Sequence, residues 1–292
     1  MTSNTSSVSA PKLTKVDSAS IKATPNYVLK QTPGIVKDSV KPIQIVKDTN
    51  FSRFSISAFF SPDFMIGYRF KATDSWGSQL ENGIKTGEKQ SFSYTAGAKA
   101  EYNCSSRFSI SAGIAYQVFS FTTKPGIVYA QKPSGGDIGY YFTTSSGMIE
   151  CPSYYGTPSV GDSIKMSTSS TRSYLEIPLQ VKYKFINKEK YNLYFNVGVD
   201  INICLAEKTT MNWQDYWNDS GVATVNGTSG AQRLYMSYYI GMGASYNIGK
   251  YLSVFLEPGL HEAITSLDNN TSEVMTYPQL FSVTAGLTYH IK

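Results

Sequence analysis

From Arg53 onward apolar and polar residues alternate with a period of two, the signature of strands with one greasy face. The clearest run is 191–205, where Tyr191, Leu193, Phe195, Val197, Val199, Ile201, Ile203 and Leu205 are all apolar. Asn192, Asn196, Gly198, Asp200 and Asn202 occupy the opposite face. The scheme recurs at 108–118, 175–185 and 234–248, and shorter runs at 54–60, 92–102, 252–260 and 281–291 bring the predicted strands to eight.

The connections between these strands alternate short and long. Tight turns are expected at 103–106, 187–190 and around Gly249, and long loops at 71–90, 124–170, 206–230 and 266–276. No apolar run approaches the roughly 18 residues that a spanning helix requires. An even set of alternating strands, with short turns on one rim and long loops on the other, predicts an all-β fold. The expected architecture is an eight-stranded antiparallel up-and-down transmembrane β-barrel of a bacterial outer membrane. Short turns and both chain ends are then expected on the periplasmic side, with the long loops outside.

The same alternation fits a soluble lipocalin-like carrier turned inside out, with the apolar face lining a cavity. That version would expose a surface of Ser, Gly, Ala, Thr, Asn and Gln with few charges, which is bland for a soluble protein. Gly97, Gly113, Gly198, Gly241, Gly243, Gly259 and Gly286 all fall on the polar face, as a crowded interior requires. Aromatic residues cluster at strand ends, as in an interfacial belt. Lipid outside is therefore the expectation. It turns Arg53, Lys99, Glu101, Glu176, Lys182, Lys184, Asp200, Glu257 and His261 inward, where they are expected to form an ion-pair network.

Composition sharpens the picture. Aromatic residues make up 14% of the 292 and charged residues only 16%, well under the roughly 25% charged usual in soluble domains. Residues 1–50 differ from the rest in lacking any sustained period, and are rich in Lys, Ser, Thr and Pro; they are expected to form a flexible periplasmic tether before a barrel at 51–292. The tether holds seven Lys against three Asp, a net +4 of the chain's +5, and nineteen Lys and Arg against eighteen Asp and Glu remain for the barrel. Its positive charge suits a periplasmic protein or peptidoglycan as partner.

Candidate chemistry is sparse. Cys104, Cys151 and Cys204 lack zinc-site spacing, and His261 and His290 are the only histidines. Glu257, His261 and Glu262 are close in sequence, but a strand sends Glu262 to the other face, and no nucleophile stands beside them. No catalytic, cofactor-binding or metal residue is assigned. Without a glycine-rich phosphate cradle or a basic stripe interleaved with aromatics, nucleic acid is not an expected partner. Trp76, Trp213, Trp217, Tyr140 and Tyr141 fall in the predicted long loops and are candidates for stacking on an extracellular glycan or packing on a protein.

One set of runs has a familiar look: 53–63 with Arg53, Phe54, Ser55 and Ile56 and then Phe59, Phe60, Ser61, Pro62 and Asp63; 174–179 with Tyr174, Leu175, Glu176, Ile177, Pro178 and Leu179; Leu256, Glu257 and Pro258; and Gly286, Leu287, Thr288, Tyr289 and His290. Over 51–292 the chain resembles the outer-membrane β-barrel domain loosely called the porin family, common in Bacteroidetes. The resemblance implies insertion from the periplasm and outer-membrane lipid as the surrounding partner. The family's last strand usually ends in an aromatic residue, a place held here by Ile291 and Lys292. Some relatives carry the barrel behind an inner-membrane helix and a periplasmic linker. Residues 1–50 look like such a linker cut from its upstream part, which would account for the missing export signal after Met1. The expected role is a non-enzymatic structural, interaction or signalling anchor. A small porin-like channel or a soluble ligand carrier are the alternatives, and an enzyme working at the outer rim is the weakest.

Overall fold

The computed structural model describes residues 52–291 apart from 73–81, 133–135, 146, 152, 154–155, 228–230 and 269–273. The expected tether at 1–50 and Trp76 lie outside the described residues. In chain order the strands are β1 (Phe54–Ala72), β2 (Glu88–Gln90), β3 (Ser93–Asn103), β4 (Phe108–Thr123), β5 (Gly126–Gln131), β6 (Gly139–Thr144), β7 (Gly147–Cys151), β8 (Ser163–Asn187), β9 (Tyr191–Gln214), β10 (Ser220–Asn226), β11 (Leu234–Asn247), β12 (Leu252–Ala263) and β13 (Val274–Ile291). No described helix is long and apolar enough to cross a membrane.

Eight of these strands form a ring. β1 pairs with β3, β3 with β4, β4 with β8, β8 with β9, β9 with β11, β11 with β12 and β12 with β13, all antiparallel. The ring closes where β13 returns to β1, from Phe54 opposite Ile291 to Ala72 opposite Val274. Closure leaves no barrel strand with an unpaired edge along the shared register, the condition for β-structure in hydrocarbon.

The side chains settle which face meets lipid. Val197 is 47% exposed and Asn196 on the same strand 0%. Phe54, Ile56, Ile110, Ile114, Ile240, Leu256 and Leu287 are exposed, while Asp200, Asn202 and Ser282 are wholly buried. This is the reverse of a lipocalin-type carrier, whose apolar residues surround the cavity.

The predicted long loops are where the structure departs from expectation. β8 and β9 run for 25 and 24 residues, against the roughly 9–11 needed to cross a bilayer. Segment 124–170 holds β5, β6, β7 and the first part of β8, and 206–230 holds the end of β9 and β10. Periodicity concealed this because the polarity of the two faces exchanges at the edge of the apolar band. On β4, Phe108, Ile110, Ile114 and Tyr116 point outward and are exposed, but two turns of the pleat further on Phe119 and Phe121 point inward and are buried. On β8 the inward positions change from Lys182, Gln180 and Glu176 to Met166 and Ile164, and Lys165, Ser169 and Thr171 take the outside. On β9 a register shift sets Ser173 opposite Ala206 and Tyr174 opposite Cys204, so Leu205 has no partner. That bulge turns Thr209, Met211 and Trp213 inward. Strands that are inside-out in the membrane thus become an ordinary water-facing sheet beyond it. The resulting head has an apolar core of Val128, Ile149, Ile164, Met166, Met211 and Trp213.

Glycines make room for the largest interior rings. A Cβ on Gly259 would lie 2.3 Å from the Tyr239 ring, and one on Gly243 2.5 Å from that of Tyr194. Gly259→Ala is therefore expected to push Tyr239 off its site and lower stability by about 1–3 kcal/mol. Gly249→Ala, in a turn where a Cβ meets nothing, is expected to stay within about 0.5 kcal/mol of the parent. Denaturant midpoints of the detergent-refolded barrel, read from heat-modifiable gel mobility, measure both.

Candidate functional site

Alternation along seven barrel strands carries polar side chains into a lumen too narrow for them to stay apart. Toward the short-turn rim, Glu101 of β3 bonds Lys182 of β8 and lies 3.8 Å from the Lys184 Nζ. Lys184 also donates to Asn103 Oδ1 at 3.0 Å. At mid-height Lys99 donates to Gln180 Oε1 at 3.3 Å, and Asn196 Nδ2 donates to both Gln180 Oε1 and Glu257 Oε1 at 2.9 Å. The Tyr239 hydroxyl donates to Glu257 at 2.7 Å. The Lys99 ammonium lies over the Phe59 and Phe255 rings at 5.6 and 5.4 Å. Nearer the long-strand rim, His261 Nδ1 meets Asp200 Oδ2 at 2.9 Å and its Nε2 meets Ser282 Oγ at 3.2 Å.

Eight of the nine residues assigned to the interior network are therefore in the lumen, Glu176 lining the same small cavity as His261 and Lys99. Arg53 is the exception: it is exposed at the short-turn rim, one residue before β1, where the strand's alternation has not begun. Asp63, which takes hydrogen bonds from Thr95 at 2.6 Å and Ser61 at 3.2 Å, belongs to the network and was not foreseen. Extending the inward series 55, 57, 59, 61 by one step would have found it. The cavity left at mid-height among Asp63, Lys99, Glu176, Glu257 and His261 is about 20 Å³, enough for a single water. The mouth at the short-turn rim, beside Asn103, Lys184 and His290, opens to about 660 Å³.

Above the polar lumen lies a septum. Phe119, Phe121, Tyr174, Tyr235, Ala263, Leu267 and Leu280 form one buried apolar cluster, with Met65 and Tyr68 of β1 and Cys204 of β9 packed on it. These come from seven of the eight ring strands and the β12–β13 connection, so the cluster closes the barrel's bore. Tyr174 and Tyr235 meet edge to face at 5.1 Å, and the Tyr235 hydroxyl donates to Gln117 on the lumen side. On the head side, Arg172 Nε donates to Glu207 Oε1 at 2.8 Å with both side chains buried. Burial pushes the nearby Asp268 carboxyl up to about 7, against the opposing pull of Arg172. Arg172, Glu207 and Asp268 lie beyond the predicted strand ends and carried no sequence signal.

The head bears a cleft of about 700 Å³ lined by Tyr140, Trp213, Tyr216, Trp217, Asp162 and Asp215 among others. Tyr216 and Trp217 are 85% and 80% exposed, with rings 5.5 Å apart at 86°. Asp215 Oδ1 holds their turn in place, accepting from the Trp217 and Asp219 backbone N–H groups at 2.9 and 2.8 Å. Burial first, then Asp162 and Asp215, raise the Tyr140 phenol. Of the loop aromatics foreseen, Trp217, Tyr140 and Trp213 line this cleft. Trp213 lies on β9 and not on a loop: it is 9% exposed and forms the floor of the cleft from within the head's apolar core, because the bulge at Leu205 turns it inward. Tyr141 is half-buried on β6 beside Tyr140 and donates to the Asp137 carbonyl at 3.1 Å.

The family model described as "Outer membrane protein beta-barrel domain" matches residues 52–269. No curated protein matches the chain. Among solved structures, Neisserial surface protein A is similar at 10% identity and a TM-score of 0.34, covering 82% of this chain and 98% of that one. OprG from Pseudomonas aeruginosa is similar at 12% identity and 0.37, covering 82% and 95%. Ail, the attachment invasion locus protein of Yersinia pestis, crystallised with the heparin analogue sucrose octasulfate, is similar at 9% identity and 0.31, covering 82% and 98%.

Two outcomes test the buried charges. Glu101→Gln takes the nearest carboxylate from the part-buried Lys182 and Lys184 and is expected to cost about 1–3 kcal/mol in denaturant unfolding. Asp268 is an acid with a raised value, so its contribution to stability is whole below about pH 4 and is lost as pH rises through about 7. Proteolysis of the head is thus expected to speed up between pH 5 and pH 8 relative to Asp268→Asn, in which the dependence disappears.

Proposed function

The chain belongs to the outer membrane protein β-barrel domain family, and from that premise we propose that it is a closed, non-enzymatic membrane anchor that displays a rigid binding head. The observation that carries this reading is the apolar septum of Phe119, Tyr174, Tyr235 and Leu280 set above a mid-height lumen cavity of about 20 Å³. A small channel needs a continuous wet path, and the inward charges that motivated one are tied to each other. Glu257 and His261, the nearest approach to an acid and base pair, are held by Asn196, Tyr239, Asp200 and Ser282.

On this reading the outer membrane holds the band, the head lies outside and both chain ends lie in the periplasm. The long strands pass without interruption from band to head, so the head needs no hinge. Its cleft offers Trp217, Tyr216 and Tyr140 for stacking and carboxylates for hydrogen bonding, which suits an extracellular glycan or protein segment. Residues 1–50, with net +4, are the arm for peptidoglycan or an acidic periplasmic protein.

Planar-bilayer recordings of the refolded chain are expected to show no conductance above background; steady unitary steps would return the channel reading. In intact cells a membrane-impermeant maleimide is expected to label a Trp217→Cys variant and to miss the exposed Cys104 of the short-turn rim until the outer membrane is permeabilised. The reverse pattern would invert the orientation.

A further inference from the structure

Just beyond the apolar band, charge is sorted by sign between the inside and the outside of the wall. Outward, Arg69 and Lys71 follow the exposed Ile66 on β1, and Lys208 follows the exposed Leu205 on β9. Lys89 of β2 lies opposite Thr122, an outward position four residues above Val118 on β4, and Lys124 ends that strand's climb; all five cations are exposed. The carboxylates of the same zone turn inward. Glu207 and Asp268 are buried beside Arg172, and Glu88 Oε1 accepts from the Ser145 backbone N–H at 2.7 Å. Among the described residues Glu262 is the outward acid of this level, and it lies 3.7 Å from Arg69.

Interior pairing accounts for the acids but not for where the bases went. A head that needed only solubility would mix both signs on its surface. This surface is continuous with the hydrocarbon-facing band, so lipid headgroups are what lies against it. The Arg69 guanidinium is held over the Tyr277 ring at 4.7 Å and bonds the Ala263 carbonyl at 3.1 Å, which fixes one cation at the band's edge instead of letting it trail into water.

We propose that the outward belt of Arg69, Lys71, Lys89, Lys124 and Lys208 is a docking surface for the phosphate groups of anionic lipids in the leaflet at the long-strand rim. Lysines contact single phosphates as point charges, and Arg69 can span two oxygens of one. Such lipids hold the head at a set height over the bilayer. The inference rests on the membrane reading of the apolar band, and not on which leaflet is the outer one.

The test uses the full chain refolded in zwitterionic detergent, with native mass spectrometry counting retained phosphatidylglycerol against phosphatidylcholine. A Lys71→Gln, Lys89→Gln, Lys208→Gln variant is expected to hold phosphatidylglycerol on the order of 100-fold more weakly, at about fivefold per cation. Arg107→Gln with Lys188→Gln and Lys190→Gln at the opposite rim is expected to retain it. Unchanged heat-modifiable mobility establishes that both variants fold. Equal retention by parent and belt variant, or equal loss in both variants, overturns the proposal. A parent that stays monodisperse without detergent overturns the membrane reading instead.

Discussion

Hydrocarbon offers no partner to a backbone N–H or C=O, so strands that cross it must satisfy each other all the way round. That requirement explains why β13 returns to β1. It also sets the bore, since eight strands enclose a space that side chains fill. Once the bore is that narrow, the inward face can be neither greasy nor loosely wet: its carboxylates and ammonium groups lie against one another and must pair. Glu101 with Lys182, Asp200 with His261 and Glu257 with Asn196 and Tyr239 are consequences of closure. The buried glycines follow as well, because Tyr194 and Tyr239 can cross the bore only where a neighbour gives up its Cβ.

Beyond the bilayer the constraint relaxes and the ordinary hydrophobic effect returns. The strands do not stop there. They keep the same inward positions, or shift by one at Ile66 on β1 and Leu205 on β9, while the apolar residues move from the outer face to the inner one. The septum around Phe119 and Tyr174 sits where the two regimes meet. It caps the polar lumen and at the same time starts the head's core, so the closure of the bore and the packing of the head come from the same side chains.

The candidate sites divide along the same boundary. Inside the band, eight of nine network residues were legible because parity along a regular strand is enough to send Lys99 or Asp200 inward. Arg53 failed because it precedes the strand, and Asp63 was missed because the strand outlasts its apolar run. Beyond the band, legibility fell. Trp213 looked like a loop aromatic because its neighbours are polar, yet polar neighbours are what an outward face requires once water surrounds it.

The amino-acid sequence by itself determined the eight strands of the ring, their faces within the apolar band and the side that meets lipid, because a period of two is written in adjacent residues. Only the tertiary structure decided where strands end, which residue is the bulge, and which charges meet. Arg172, Glu207 and Asp268 converge through ring closure and register, and the contact between positions far apart in the chain leaves no local periodic trace. The exchange of faces at the membrane edge belongs to both: every residue of it is visible in the sequence, but its meaning depends on knowing which solvent surrounds each stretch of strand.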